Sequence, residues 1–406
     1  MDKKRYQKTH PWITFKLDLQ KARHTFWMLL GEAQSKCRHI AGVPLRPEKA
    51  EELHRIYLAK GIRATTAIEG NTLSEEEVRE IIDSDLPVPP SKEYLKQEIL
   101  NIQDACNTIA ARIADPSSPD EGITPDEILG YNALVLKKLP QKNEVLPGSI
   151  RTFPLVAGSY RGAPAEDCRY LLERFCHWMN DPSSFDLGKS DTLPSGILKA
   201  ILAHIYLVWI HPFADGNGRT ARLLEFRFLL EAGAPSPAGH LLSNHYNETR
   251  DEYYRHLEIS WRKENGILDF LEYALQGFVD QLDDQIIHIR HDQIEVAWEN
   301  FLHSQFGETP AETRRKKLLF ALSKEEGPVP RNRILTIDTD VAELYMKKTP
   351  KTLSRDLSEL ERRQLLRIDK KGLSPRRDRI IAFMPVLRTD ILSDLLIPRR
   401  RYDKGE

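Results

Sequence analysis

Between positions 211 and 222 the chain places an imidazole, a carboxylate, two glycines and two guanidiniums: His211-Pro212-Phe213-Ala214-Asp215-Gly216-Asn217-Gly218-Arg219-Thr220-Ala221-Arg222. These residue types can hold phosphates and move a proton. Glycines let the backbone come close to a ligand, and the free N–H groups of a helix start point at an anion. Arg219 and Arg222 add fixed positive charge in a planar form that suits phosphate oxygens. An acid in such a cradle, here Asp215, is the group that shares Mg²⁺ with phosphates. His211 stands at the loop's start, where an imidazole could take a proton from a nucleophile.

The flanks must position this loop. Before it, Leu198, Ile201, Leu202, Ile205, Leu207, Val208 and Trp209 lie in an apolar run from Ile197 to Ile210. After it, Leu223 to Leu230 repeats apolar residues at three and four and stops at Ala232-Gly233. Both flanks are predicted helices, the first buried nearly all round. Phe213 is the expected anchor of the loop in the core.

Residues 211–219 resemble, position for position, the H-P-F-x-D-G-N-G-R motif of the Fic family, whose members are known for moving AMP from ATP onto a hydroxyl of a target protein. The resemblance implies a mainly α, Fic-type helical catalytic domain that uses ATP and Mg²⁺. It makes His211 the base and Asp215 the metal ligand. Asp215, Gly216, Asn217, Gly218, Arg219, Thr220 and Arg222 become the ATP-phosphate site.

A second stretch lies far upstream. Leu53, Ile56, Tyr57, Leu58 and Ile62 predict a helix from Pro47 to Thr66, which Gly70 and Asn71 would stop. Glu69 is then an anion at the negative end of a helix, unfavourable by ~0.3–1 kcal/mol, and it wants a cationic partner. Thr65 to Gly70 also resembles the family's inhibitory pattern, [S/T]-x-x-x-E-[G/N]. In that family the glutamate pairs with the second motif arginine, here Arg222, and blocks placement of the γ-phosphate. The reading is a self-restrained adenylyltransferase acting on a Ser, Thr or Tyr hydroxyl, its own included.

Short extended pieces with turn residues between Pro147 and Tyr160 predict a hairpin. By resemblance it is a flap, with Ala157, Gly158, Ser159 and Tyr160 at its tip, that holds a target segment by main-chain pairing. The resemblance also gives Tyr253 and Asn265 an adenine-side role. Capped helix starts are expected at Ser74-Glu75-Glu76-Glu77 and Thr124-Pro125-Asp126-Glu127, and helices over 92–113 and 124–138.

At 406 residues the chain exceeds one ordinary core. Expected divisions are an N-terminal helical region with the inhibitory helix (1–90), a catalytic domain (91–306), a winged helix-turn-helix domain (311–385) and a basic tail (386–406). The net charge of −1 hides an asymmetry, because residues 311–406 carry 24 Lys and Arg against 15 Asp and Glu. A basic module on an acidic body points to separate partners. Lys351, Ser354, Arg355 and Ser358 share the face opposite Leu353, Leu357 and Leu360, where a helix that enters a DNA groove carries its contacts. The same module could instead make a homodimer or dock a protein. Lys370-Lys371-Gly372 and Ile380–Phe383 are expected to supply its wing.

The apolar run is interrupted by Lys199 and His204 and is too short to cross a bilayer, so no membrane partner is expected. The start of the chain lacks an apolar signal core, and the four cysteines lack C-x-x-C spacing. Both favour the cytoplasm. Two rival functions share these residues. One is transfer of another phosphate-containing group, or removal of AMP. The other is a DNA-binding regulator whose Fic domain senses nucleotide.

Overall fold

The computed structural model describes residues 4–381 apart from 85–86, 118–121, 142–143, 189–191 and 326. The chain forms two compact units, Met1–Gln285 and Ile286–Glu406. The proposed tail, 386–406, lies outside the described residues.

The first unit is helical and is built around Leu193–Ile210. Ile197, Leu198, Ile201, Leu202, Ile205, Tyr206, Leu207 and Ile210 are fully buried there. A helix that is apolar on all faces has no side to give to water, so it becomes the core's axis. By length and composition it could cross a membrane, but 83% of it is buried in the fold. The helix Asn217–Glu231 packs closely on it and starts where the motif loop ends. Pro47–Ala67, Glu93–Ala114 and Pro125–Val135 surround the pair. From residues 1–90, Phe26, Leu30 and Ile62 belong to the same apolar cluster as Leu198, Phe226 and Phe278.

Local chemistry sets the helix ends. Ser74 and Glu77 form a reciprocal capping box: the Glu77 amide donates to Ser74 Oγ at 3.1 Å and the Ser74 amide to Glu77 Oε2 at 2.8 Å. Thr124 caps Pro125–Val135 through the Glu127 amide at 3.2 Å. Gly70, at φ +103°, ends the turn after Pro47–Ala67, and the Asn71 amide returns to the Thr66 carbonyl at 3.1 Å.

In the second unit, helices Pro310–Ser323, Thr339–Met346 and Pro350–Arg362 are followed by a hairpin of Leu366–Asp369 with Gly372–Pro375. Its second strand differs from the expected wing. Gly372, at φ +138°, turns the chain directly back after Lys371, and Ile380 falls in a short 3₁₀ turn, Arg377–Ile380. Buried Asp356 ties the helices together, accepting from Arg314 Nε at 2.7 Å, Arg315 Nε at 2.8 Å and Tyr345 Oη at 2.9 Å.

The units divide at 285/286, within the helix Gly266–Gln305, rather than at Gly307–Pro310. Trp298, Leu302 and Phe306 pack with Leu318, Leu319 and Leu322, so the end of that helix belongs to the second core. This changes where the chain can be cut. A protein ending at Gln285 should melt cooperatively. One ending at Pro310 should be less soluble, because it keeps these three apolar side chains and deletes their partners. Equal solubility and melting of the two proteins would contradict that division.

Candidate active site

His211 terminates Leu193–Ile210 in the left-handed region, at φ +50° and ψ 57°. Its Nδ1 lies 3.2 Å from the Val208 carbonyl, which can only accept, so Nδ1 carries the proton and Nε2 the lone pair. Burial pushes the imidazole's pKa down to about 4, and the nearby Arg151 guanidinium acts in the same direction against Glu69 and Asp215. At neutral pH the ring is an uncharged base with Nε2 free to accept.

The loop is held from inside. Phe213 is buried, as expected, and Asn217 brackets it, with Oδ1 accepting from the Phe213 amide at 3.0 Å and Nδ2 donating to its carbonyl at 2.8 Å. Thr220 is fully buried and its hydroxyl donates to the Gly216 carbonyl at 2.8 Å. The side chains of Asn217 and Thr220 are therefore turned into the loop, where they bond Phe213 and Gly216. Their part is to set the shape. Gly216 takes φ +78° as the helix N-cap, a conformation that disfavours side chains.

Two residues missed in the sequence reading complete the cradle. Asn132 donates to the Asp215 carbonyl at 2.9 Å and accepts from the Gly148 amide at 3.0 Å. Its signal was a polar residue on the apolar stripe Ile128, Asn132, Val135. Glu98 accepts from Arg219 Nη1 at 2.8 Å, while Arg219 Nη2 reaches Asp215 Oδ1 at 3.1 Å. Burial raises the Glu98 pKa, partly offset by Arg219. Asn71, two residues beyond Glu69, donates to Glu98 Oε2 at 2.9 Å, so the turn bearing Glu69 is tied to the loop a second way.

Glu69 reaches the motif. Arg222 Nη2 donates to Glu69 Oε1 at 2.6 Å and to the Thr65 carbonyl at 2.9 Å. A Cβ on Gly218 would lie 2.2 Å from Glu69 Oε1, so only glycine leaves room for this carboxylate. Glu69 thus sits over the N-terminal turn of Asn217–Glu231 as well as against Arg222. That resolves the poor electrostatics expected at its own helix end, because the carboxylate sits at the positive end of another helix. Burial would raise its pKa, but Arg222, then Arg219 and His211, hold it below the usual carboxylate value. Arg250 Nη2 donates to the Ile68 carbonyl and clamps the same turn. Arg222 Nε and Nη1 are buried with no acceptor among the described residues, so the arginine has donors to spare for an anion.

Glu69, His211, Gly218 and Arg222 line one cleft of about 680 Å³, together with Ala157–Tyr160 and Tyr253. That volume suits a nucleotide-sized ligand. The hairpin is shorter than expected, pairing Val156–Ala157 with Tyr160–Arg161 across Gly158 and Ser159. The residues before it pair with the motif loop instead, through the bridge between Ile150 and Phe213. Tyr160 Oη donates to the Trp209 carbonyl at 2.7 Å. Buried Tyr253 contacts His204 Nε2 through its hydroxyl at 2.9 Å, and His204 Nδ1 lies 3.3 Å from Glu225. Asn265 does not join them: it lines a separate depression with Lys21 and Arg23, and its Oδ1 accepts from Lys21 at 3.3 Å. The turn at Asn265 (φ +58°) ends one helix and starts the next, and Trp261 lines the cleft instead.

Among the described residues no group of three or more His, Cys, Asp or Glu side chains could hold a metal alone. The half-exposed Asp215 makes both of its hydrogen bonds through Oδ1. A single carboxylate fits Mg²⁺ that arrives with phosphates, which supply other ligands.

Residues 122–229, which hold the whole motif loop, match the Fic/DOC family. That segment is similar to a Fic domain. It is 32% identical over 196 residues to the Caenorhabditis elegans "Protein adenylyltransferase fic-1", covering 48% of this chain and 35% of that protein. A solved structure of C. elegans Fic-1 (aa134 - 508) superposes with a TM-score of 0.50 at 25% identity, over 64% of this chain and 70% of that one. A Fic family protein from Desulfovibrio desulfuricans shares the fold, with a TM-score of 0.51 at 18% identity over 85% and 91% of the two chains. The chain spans less than half the length of the curated relatives it matches. Glu69, Glu98, Asn71 and Arg250 all lie outside the matched residues, yet Glu69 and Glu98 bond the motif arginines while Asn71 holds Glu98 and Arg250 holds the turn of Glu69.

Proposed function

We propose that the protein is a protein adenylyltransferase restrained by Glu69, transferring AMP from ATP to a Ser, Thr or Tyr hydroxyl of a target and of itself. One observation carries this reading: a carboxylate of the chain lies between Arg222 and the phosphate-binding helix start, in the same cleft as a neutral His211. The hydroxyl O–H bond breaks as its proton passes to His211 Nε2. The oxygen attacks the α-phosphorus, the bond to the bridging α–β oxygen breaks, and pyrophosphate leaves. The Gly216–Arg219 backbone and Arg222 take the phosphates, and Asp215 would hold Mg²⁺, which offsets their charge. Such sites act by positioning and charge stabilisation.

The test is purified protein with Mg²⁺ and labelled ATP, UTP or GTP, scored for label on protein. Label from α-labelled but not γ-labelled ATP is the expected result. Preferential transfer from UTP or GTP would replace the donor, and loss of AMP from pre-modified protein would favour the reverse reaction.

The second unit supports a further, separate reading. Lys351, Arg355 and Ser358 are exposed on Pro350–Arg362 while Leu357 and Leu360 are buried. If this winged-helix-like face binds duplex DNA, retention should fall steeply with salt, and Arg355→Ala should reduce the slope by about one. Retention unaffected by salt would leave protein docking or a homodimer as the role of this unit.

A further inference from the structure

Arg151 stands out among the buried charges of the Fic-like segment because no carboxylate pairs with it among the described residues. Only 3% exposed, it spends its guanidinium on backbone carbonyls. Nε donates to the His211 carbonyl at 2.7 Å, Nη1 to that of Phe153 at 2.6 Å, and Nη2 to that of Ala163. Its own amide donates to the Pro212 carbonyl at 2.9 Å. These acceptors belong to three segments: the end of the buried helix, the stretch leading into the hairpin, and the chain leaving it. Gly162 closes the arrangement, since a Cβ there would lie 2.8 Å from His211 Cβ and 3.0 Å from Arg151 Nη2.

A buried guanidinium desolvated for three neutral carbonyls costs stability, and such a cost is kept where the geometry it imposes serves function. The useful geometry here is the backbone of His211, held in a left-handed conformation that a histidine rarely adopts. Hairpin and base must also stay in register, because a hydroxyl presented along the hairpin has to reach Nε2 within hydrogen-bond distance.

We propose that Arg151 is a positioning residue for the transfer reaction: through three carbonyls it locks the backbone of His211 to both legs of the hairpin, so that an acceptor held on the hairpin meets the base. This rests on the adenylyl-transfer reading above. The charged groups that face the imidazole are Arg151 from the hairpin stem, Glu69 from the Pro47–Ala67 side and Asp215 from the loop.

The test uses the full chain in a Glu69→Gly background, with self-modification by α-labelled ATP read against ATP concentration and pH. Arg151→Lys keeps the charge but cannot reach three carbonyls in a plane. Its maximal rate should fall by about 10- to 100-fold, as displacement of a reacting group does, with ATP affinity within about twofold. Its acidic limb should stay in place. Arg151→Gln should lose rate similarly and move that limb upward toward the ordinary histidine value of about 6.5, because a cation that opposes protonation of His211 is gone. Gly162→Ala presses on both His211 Cβ and Arg151 Nη2 while keeping the arginine and its charge, and it decides the matter should the arginine variants melt at assay temperature. Rates near the parent for Arg151→Lys and Gly162→Ala, both folded, would overturn the proposal. So would a loss seen only in ATP affinity. No label in the Glu69→Gly parent would instead defeat the transfer reading itself.

Discussion

Glu69→Gly should modify itself at least about tenfold faster than the wild type, a change that needs only ~1.4 kcal/mol of barrier. The carboxylate holds Arg222 at 2.6 Å and lies over the helix start that phosphates would occupy. Removing it vacates the anion position and returns an Arg222 donor to the ligand in one step. Arg222 itself stays held through the Thr65 carbonyl, so the freed arginine keeps its place. Glu69→Asp should release partially, because a shorter side chain reaches less far. Arg222→Ala should not mimic activation, since it removes the group that the release makes available. Label incorporation from α-labelled ATP by the four proteins at equal concentration measures this. Equal rates for wild type and Glu69→Gly would remove the restraint from the account.

Acid is a poor release signal for this device. The pKa of Glu69 is depressed, so its charged contact with Arg222 is present above the ordinary carboxylate range and lost only as pH falls through the lowered value. By then His211, whose own pKa is about 4, is gaining a proton and losing its capacity as a base. The acidic limb of Glu69→Gly should therefore lie somewhat below that of wild type, because an anion that favours protonation of His211 is gone, and the wild type should show no window in which acid activates it.

His211→Ala, in the same Glu69→Gly background, should lower transfer by about 10²–10⁴-fold, the worth of a well-placed general base. ATP affinity should change little, because in the proposed reaction the phosphates would meet the 216–219 backbone and Arg222 and not the imidazole. A dissociation constant and a rate measured on the same preparation separate the two effects. Retention of most activity by His211→Ala would mean that another group takes the proton.

What the sequence determined by itself is local. The all-round apolar run from 197 to 210, the Ser74/Glu77 and Thr124 caps, the stop at Gly70 and the glycines of the motif are set by near neighbours, because helix periodicity and backbone freedom act over a few residues. The chemistry of the 211–222 loop was legible for the same reason. Tertiary structure decided the rest. Glu69 and Arg222 stand 153 positions apart, and only packing of Pro47–Ala67 beside the motif helix turns a badly placed carboxylate into a well-placed one. Asn217 and Thr220 have side chains suited to phosphate, but the fold turns them inward to bond Phe213 and Gly216. Asn265 was assigned to the cleft, and the turn it occupies carries it to another face. Arg151 gave no sign in one dimension, since its partners are carbonyls, which every residue has, and only three-dimensional proximity selects which three it meets.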